Sequence, residues 1–326
     1  MTAYIESVGI ISRCAQSMET VTELLNGSEA ALSPMPIEFD SQIPHAKMRR
    51  NSRYNKLACT AADNAVRGAF VPEDTDRRRI GTIISTGYGS SVYYTQFADT
   101  VVKDVPGLCS PFVYSGMVPN ACVGQICILN GFKGVSTVLT GGDPLEYSSL
   151  LLGTNKADMI LCGSVEEYNE ALYAELGRLE TLKCSELSEG AAMFMLTREK
   201  TDKTHCAVTD FSSASLGKSP LLHRLDDNSA EIVFGVLDRY NDTPDAVFTA
   251  ANGTYFDDME DAAIYKKFPE AVRLAPKKYT GETLGCGYAI NAAFAAAAIS
   301  CGKYDKVLVT GVDMVGNYCT SMIERA

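Results

Sequence analysis

The 326-residue sequence contains only three histidines, His45, His205 and His223, and no tryptophan. Histidine is the side chain most used for metal binding and for proton transfer near neutral pH, so this shortage limits both kinds of site. The eleven cysteines are scattered and include no CxxC pair. An odd, dispersed set in a chain of this length is typical of free thiols in a reducing compartment. We therefore expect a cytoplasmic protein that holds no metal and no other cofactor.

Basic residues are also outnumbered, 29 against 40 acidic residues, and the formal net charge is -11. Nucleic-acid binders present a basic face, so no nucleic-acid partner is expected. The longest nearly apolar run, Ala289 to Cys301, is too short and too rich in alanine to cross a bilayer. The N-terminus shows no signal-peptide pattern, and no membrane association is expected.

Strand-like and helix-like segments alternate along most of the chain, which is typical of an α/β fold. Strands are predicted at 80–86, 134–139, 157–163, 191–197, 246–250 and 305–311, and helices near 55–69, 120–132, 144–155, 227–240, 257–267 and 283–301. The strands lack polar alternation, so we expect mainly parallel sheets covered on both faces. We interpret the loop-like segment 199–220 as the junction between two halves, residues 1–200 and 201–326.

The two halves share a pattern that indicates an internal duplication. In each half a glycine turn (140–142 and 280–282) precedes a helix, a short loop and a buried strand. Each strand carries Leu, Val and an acidic residue at the same offsets from an aspartate, ending at Glu166 and at Asp313. The turns should place backbone N–H groups at a helix N-terminus, where negative charge or a thiolate is stabilised. The chain offers Gly142 and Glu282 there, and neither is a nucleophile of that kind.

With these turns the sequence resembles the thiolase-like β-ketoacyl synthases, the condensing enzymes of fatty-acid and polyketide assembly. The similarity extends over nearly the whole length, through segments 47–70, 110–128, 189–192 and 311–326. The resemblance implies the thiolase fold, in which duplicated α/β halves form a five-layered α-β-α-β-α core.

The resemblance also points to four positions that carry the family's chemistry. The family uses a Cys in a Thr-Ala-Cys turn, a His in a His-Gly-Thr motif, and a Lys five residues before a second His. The Cys takes the acyl chain as a thioester, and the two His assist decarboxylation and stabilise the enolate and oxyanion. At the matching positions this chain has Gly142, Asn252, Lys277 and Glu282. Only the lysine is retained, so we predict no catalytic residue at these degenerate positions.

Type II polyketide systems pair a ketosynthase with a chain length factor, a homologue that lacks the active Cys and caps the acyl tunnel at the dimer interface. The chain resembles such a factor, although many factors carry Gln where this chain has Gly142. The resemblance implies a heterodimer with an active ketosynthase and contact with an acyl chain borne by acyl carrier protein. The residues predicted to line the tunnel or the interface are Phe112, Val113, Tyr114, Met117, Val118 and Cys122, with Met314 in place of a gating Phe. Each of them taken singly also suits plain dimer core.

Two other interpretations stay open from the sequence. The fold could serve new acyl chemistry through Glu282, Asn252 or Lys277, with Glu282 as a general base if an apolar tunnel raises its pKa. The chain could instead be a stand-alone acyl-chain binder or scaffold.

Overall fold

Ten strands form one continuous sheet in the part of the chain that the computed structural model describes, residues 2–103, 109–183, 185–226 and 228–326. The strands are β1 (Ala3–Ile11), β2 (Ile80–Thr86), β3 (Ser136–Thr140), β4 (Met159–Glu166), β5 (Gly190–Thr197), β6 (Cys206–Ser215), β7 (Ala246–Phe248), β8 (Val272–Leu274), β9 (Lys306–Val312) and β10 (Asn317–Arg325). Their order across the sheet is β3-β2-β4-β5-β1-β6-β10-β9-β7-β8.

The strand order repeats in two successive halves. From the outer edge inward, both β1–β5 and β6–β10 run third, second, fourth, fifth and first. In each half the second strand is parallel to the third and fourth, and the fifth is antiparallel to the fourth and first. The halves meet where β1 pairs with β6 through only three residues of each strand. The topology thus shows the duplication that the glycine turns predicted.

The described residues form twelve α-helices around this sheet. They are α1 (Met18–Leu25), α2 (His45–Met48), α3 (Arg53–Gly68), α4 (Ser91–Lys103), α5 (Pro111–Gly116), α6 (Ala121–Asn130), α7 (Pro144–Gly153), α8 (Glu170–Leu176), α9 (Asn228–Asp238), α10 (Tyr255–Lys267), α11 (Lys277–Thr280) and α12 (Gly287–Ser300). The helix predicted at 227–240 corresponds to α9, and its first residue, 227, lies outside the described residues.

Helices α7 and α12 form the central layer of the molecule. Helix α12 contacts β9 and β10 of the second half and β1 and β5 of the first, and α7 contacts β2 and β4 together with β6. Every residue of α12 from Gly287 to Ile299 is buried, as expected for a helix that is apolar all round. Helices α3 and α6 cover the outer face of the first half, and α9, with α10 packed on it, covers that of the second. The two halves of the sheet thus lie on either side of the α7 and α12 layer, and together with the outer helices they form the five layers implied by the resemblance.

Three details of the fold differ from the sequence predictions. The sheet has five antiparallel and four parallel pairings, so the expectation of mainly parallel sheets is wrong. The loop-like segment 199–220 contains β6, whose polar residues pair with β10. The helix predicted from 283 begins at Gly287, because Leu284 has a positive φ of 52° and 284–286 form a 3-10 turn. The helix is followed by Gly302 in a left-handed conformation, with φ 77°.

Candidate functional site

Lys277 and Glu282 form a buried ion pair at the second glycine turn. Lys277 begins the single-turn helix α11, and the chain reverses at Gly281, which has φ 75°. A Cβ at Gly281 would lie 2.5 Å from the carbonyl oxygen of Glu186, so the turn requires glycine. The reversal brings Lys277 Nζ to 2.6 Å from Glu282 Oε2. The two side chains are 2% and 0% exposed.

Asn252 completes this cluster from the other side. Its Nδ2 donates to Glu282 Oε2 at 2.8 Å, and the backbone N–H of Leu284 donates to Oε1 at 2.7 Å. The backbone N–H groups of Asn252 and Gly253 donate in turn to the carboxylate of Asp257, which fixes the loop after β7. The structure therefore brings together three of the four predicted degenerate positions. Both oxygens of Glu282 are already hydrogen-bonded within the protein.

Gly142 lies in the turn between β3 and α7, with φ 80°. Its N–H donates to Asp313 Oδ2 at 2.6 Å, and Asp313 also accepts from the N–H groups of Val315 and Asn317. Apart from its two neighbours in the chain, no described residue has an atom within 4 Å of the place where a Cβ of Gly142 would stand. The turn thus has space for a side chain, although its left-handed backbone favours glycine. Asp143, the next residue, caps α7 by accepting from the backbone N–H groups of Leu145 and Glu146.

Glu166 and Asp313, which occupy matching places in the repeat, hold glycine turns across the two halves. Glu166 ends β4 and accepts from the N–H groups of Gly87 at 2.7 Å and Tyr88 at 2.9 Å. Gly285 of the second half also packs against this carboxylate. Asp313 of the second half reciprocally binds the N–H of Gly142. The alignment of the two halves of the sequence paired these two acids, but it assigned them no role.

Burial dominates the electrostatics of the acids around these turns. It raises the pKa of Glu166 to about 8, although the N–H groups that it accepts from act in the opposite direction. The pKa of Glu260, a second buried acid, is raised to about 7 by the same cause. Glu260 accepts from Thr310 Oγ1 and from the hydroxyl of Tyr318. The centre of the molecule therefore holds several carboxyl groups that gain protons near neutral pH.

Among the described residues, cysteines offer no replacement nucleophile near these positions. Cys286 is fully buried, its thiol donates to the carbonyl of Ser164 at 3.2 Å, and burial raises its pKa. Burial likewise raises the pKa of Cys122, to about 12. A thiol attacks as the thiolate, so a raised pKa makes it unreactive. All ten cysteines in the described residues are free.

The predicted tunnel residues lie mostly on one exposed part of the first half. In α5, Phe112 is 43% and Tyr114 58% exposed, and Val118 in the following turn is 39% exposed. The ring of Phe112 packs on that of Tyr93 of α4 with centroids 6.3 Å apart, and the ring of Tyr114 packs on that of Phe97 at 5.5 Å. Val113 and Met117, in the same stretch, are half-buried.

Two predicted tunnel residues lie elsewhere. The thiol of Cys122 is buried 3.3 Å from the hydroxyl of Tyr54, inside the first half. Met314 packs on the turn at Gly87, where an added Cβ would lie 2.7 Å from Met314 Cγ. It therefore sits beside the turn that Glu166 holds.

Strand β3 is the outer strand of the first half. It pairs with β2 on one side and has no strand partner among the described residues on the other. Helix α6, whose Ile128 is exposed, packs on β3. A free edge of this kind presents unpaired N–H and C=O groups that can accept another strand.

A metal-binding cluster and a membrane-spanning helix are both missing from the described residues. No cluster of three or more His, Cys, Asp or Glu side chains there is placed to hold a metal ion. Among the described helices none has the length and apolar character needed to cross a bilayer.

The chain is similar in sequence to condensing enzymes over part of its length. A 134-residue segment is 26% identical to 3-oxoacyl-[acyl-carrier-protein] synthase 2 of Staphylococcus aureus (strain N315), covering 39% of this chain and 32% of the relative. A 137-residue segment is 25% identical to the enzyme of the same name from Synechocystis, covering 40% and 33%. The match thus spans about a third of these relatives. No protein-family model matches the chain.

Solved structures match over the whole chain. The ishigamide ketosynthase/chain length factor superposes with a TM-score of 0.82 at 19% identity, covering 100% of this chain and 99% of that one. This chain has the thiolase fold. A type II polyketide acyl-carrier protein in complex with its ketosynthase gives 0.82 at 17% identity, with coverage of 100% and 99%. A ketosynthase in complex with its chain length factor from Xenorhabdus doucetiae gives 0.74 at 17%, with coverage of 99% and 98%. The resemblance found in the sequence is thereby confirmed.

Proposed function

We propose that this chain is a non-catalytic, ketosynthase-like subunit, a chain length factor, which pairs with an active β-ketoacyl synthase and shapes the acyl tunnel in a type II polyketide or polyene pathway. One observation carries the proposal. The positions that hold the reactive Cys and both His in condensing enzymes hold Gly142, Asn252 and Glu282, and Glu282 is bound internally by Lys277.

This arrangement opposes condensation chemistry. Gly142 supplies no thiol, and Asn252 cannot exchange a proton near neutral pH. Enolate formation needs donors aimed at a developing negative charge, whereas Glu282 places a carboxylate there. A general base must also reach the substrate proton, and Glu282 is buried with both oxygens bonded. These contacts argue against the alternative in which Glu282, Asn252 and Lys277 perform new acyl chemistry.

The exposed face of the first half supports a partner. Phe112, Tyr114 and Val118 leave large apolar side chains in solvent, and β3 of the same half has a free edge among the described residues. Exposed apolar groups that cluster in this way are typical of interaction surfaces. In the proposed complex an active ketosynthase covers this face, and Phe112, Val113, Tyr114, Met117 and Val118 limit the space available to an acyl chain borne by acyl carrier protein. The complex is placed in the cytoplasm, in keeping with the free cysteines.

Co-expression tests the proposal. The chain is purified alone and together with a candidate partner ketosynthase, and the mass of each species is measured by light scattering. We expect a one-to-one complex that condenses acyl and malonyl carrier thioesters, whereas the chain alone does not. A stable homodimer of this chain that performs the condensation by itself would refute the proposal.

A further inference from the structure

A cavity of about 550 Å³ opens at the N-terminal end of α7, between β3 and β6. We name it the α7 cavity and define it by Gly142, Asp143, Glu146, Tyr147, Asp210 and Phe211. It adjoins the degenerate nucleophile turn, because Gly142 forms part of its wall. The direction in which a side chain of Gly142 would project is open space.

The charge of the α7 cavity is of one sign. Three carboxyl groups line it, and none of its lining residues is basic. Asp143 is engaged, since it caps α7 and accepts the hydroxyl of Tyr288 at 2.5 Å. Glu146 and Asp210 form no salt bridge with any described residue, and Asp210 accepts only the N–H of Phe211. Burial, and to a smaller extent the charge of Glu146, raises the pKa of Asp143 to about 7.

An unpaired hydroxyl gives a second, independent indication of a ligand. Ser149 lines the cavity and is 1% exposed, and its Oγ has no hydrogen-bond partner among the described residues. Buried polar atoms are nearly always hydrogen-bonded, so an orphan beside a cavity indicates that a partner group is missing. The hydroxyl and the two free carboxylates all accept hydrogen bonds, so the missing group is a cationic donor with several N–H groups.

The walls of the cavity indicate the kind of cation. Leu139, Tyr147, Leu150 and Phe211 contribute apolar surface, which suits the methylene stem of a long side chain. A planar guanidinium can donate to two carboxylates and a hydroxyl at once, whereas an ammonium acts as a point charge. Leu139 belongs to β3, and Leu150 is exposed. A chain that covers the free edge of β3 therefore passes the mouth of the cavity.

We propose that the α7 cavity receives an arginine side chain of the ketosynthase subunit. This inference rests on the proposed function, because it specifies how the partner is recognised. A second copy of this chain suits the cavity less well, since two chains of net charge -11 repel each other. On this view, the turn at Gly142 has lost its nucleophile, and the α7 cavity beside it recognises the partner subunit.

The test measures the binding of this chain to the partner ketosynthase by isothermal titration calorimetry. The double variant Glu146→Gln/Asp210→Asn is compared with Glu175→Gln/Asp261→Asn, which removes the same charge at exposed sites. We expect the cavity variant to bind about 30-fold or more weakly, with a smaller salt dependence. The control should change the dissociation constant less than about twofold. Circular dichroism checks that both variants fold.

The variant Ser149→Ala separates an effect on partner binding from an effect on the folding stability of the chain. Removing the unpaired hydroxyl, which turns the hydroxymethyl side chain into a methyl group, should leave the stability of the chain unchanged or slightly higher, while the complex weakens about threefold. Wild-type affinity in both cavity variants would overturn the inference and leave the proposed function intact. Loss of a homodimer in the cavity variant would overturn it in favour of a second copy. Failure of the wild-type chain to bind the ketosynthase would overturn both proposals.

Discussion

The ammonium of Lys277 and the carboxylate of Glu282 lie 2.6 Å apart with almost no exposure to solvent. The charge of Lys277 is thereby neutralised within the chain. A buried pair is held by mutual compensation, and loss of one partner leaves the other charge unpaired in a medium of low dielectric. The site thus holds a structural contact where a condensing enzyme has reactive groups.

A double-mutant cycle measures this contact. Glu282→Gln and Lys277→Met should each reduce the free energy of unfolding by about 3–5 kcal/mol, because each leaves the charge of the other residue buried and unpaired. The double variant should lose clearly less than the sum of the two, since neither charge then remains. Urea unfolding followed by circular dichroism gives the three values. Additivity within about 0.5 kcal/mol would show that the residues do not interact.

Gly141 and Gly142 provide a matched pair for the nucleophile turn. Both have positive φ, 73° and 80°, but a Cβ at Gly141 would lie 2.5 Å from Asp313 Oδ2, whereas Gly142 has open space. Gly142→Ala should cost about 1–2 kcal/mol from backbone strain alone. Gly141→Ala should cost about 1–3 kcal/mol more, because it also displaces Asp313. Equal losses in thermal or urea unfolding would contradict the geometry of the turn.

The pH dependence of stability follows from the buried acids. Burial raises the pKa of Glu260 to about 7, so the folded state binds its proton more tightly than the unfolded chain does. The stabilisation that comes from this proton is fully present below the unfolded pKa of about 4.3, and it is lost as the pH rises towards 7. Asp143, Glu166 and Glu167 have pKa values raised in the same direction, to about 7, 8 and 7. The free energy of unfolding should therefore fall between pH 5 and pH 8.

Glu260→Gln should flatten this fall, because the amide keeps an acceptor for Thr310 and Tyr318 but does not titrate. The expected difference approaches about 1.4 kcal/mol per pH unit for one proton. Denaturant titrations at several pH values measure it. Glu175→Gln, at an exposed carboxylate, is the control and should leave the slope unchanged. A Glu260→Gln slope equal to that of the wild type would show that Glu260 is ionised throughout.

The tunnel role of the α5 side chains is tested in the ketosynthase complex. Phe112→Ala removes a large apolar side chain from the face that the partner covers, so the product chain should become longer by one or more extension units. Tyr265→Ala removes an aromatic side chain of similar exposure from α10, in the other half, and should leave product length unchanged. Mass spectrometry of released products reports the length. An unchanged product from Phe112→Ala would assign this residue to plain dimer core.

Much of the fold could be predicted from the chain because β2, β4, β5 and β9 are buried along their whole length or nearly so and read as apolar runs. Strand β6 could not be predicted in this way, because only its first residues are uniformly buried and its serines resemble a loop. Its partners in β10 lie 102 to 119 positions further along the chain, from Ser215 with Asn317 to Cys206 with Arg325, and local composition does not report such a contact.

Sequence also located most of the candidate site but not what holds it. The resemblance pointed to Asn252, Lys277 and Glu282 as matching positions, and the structure places the three side chains in contact. The contact between Asp313 and Gly142 could not be predicted, since it joins the two halves of the duplication. The unpaired Ser149 hydroxyl is visible only once the packing around α7 is known.

Intact-protein mass spectrometry of the complex tests the central claim most directly. The chain and its ketosynthase are incubated with acyl carrier thioesters, and the mass of each subunit is measured. The absence of a nucleophile at Gly142 predicts an acyl adduct on the ketosynthase and an unchanged mass for this chain. An acyl adduct on any residue of this chain would contradict the account.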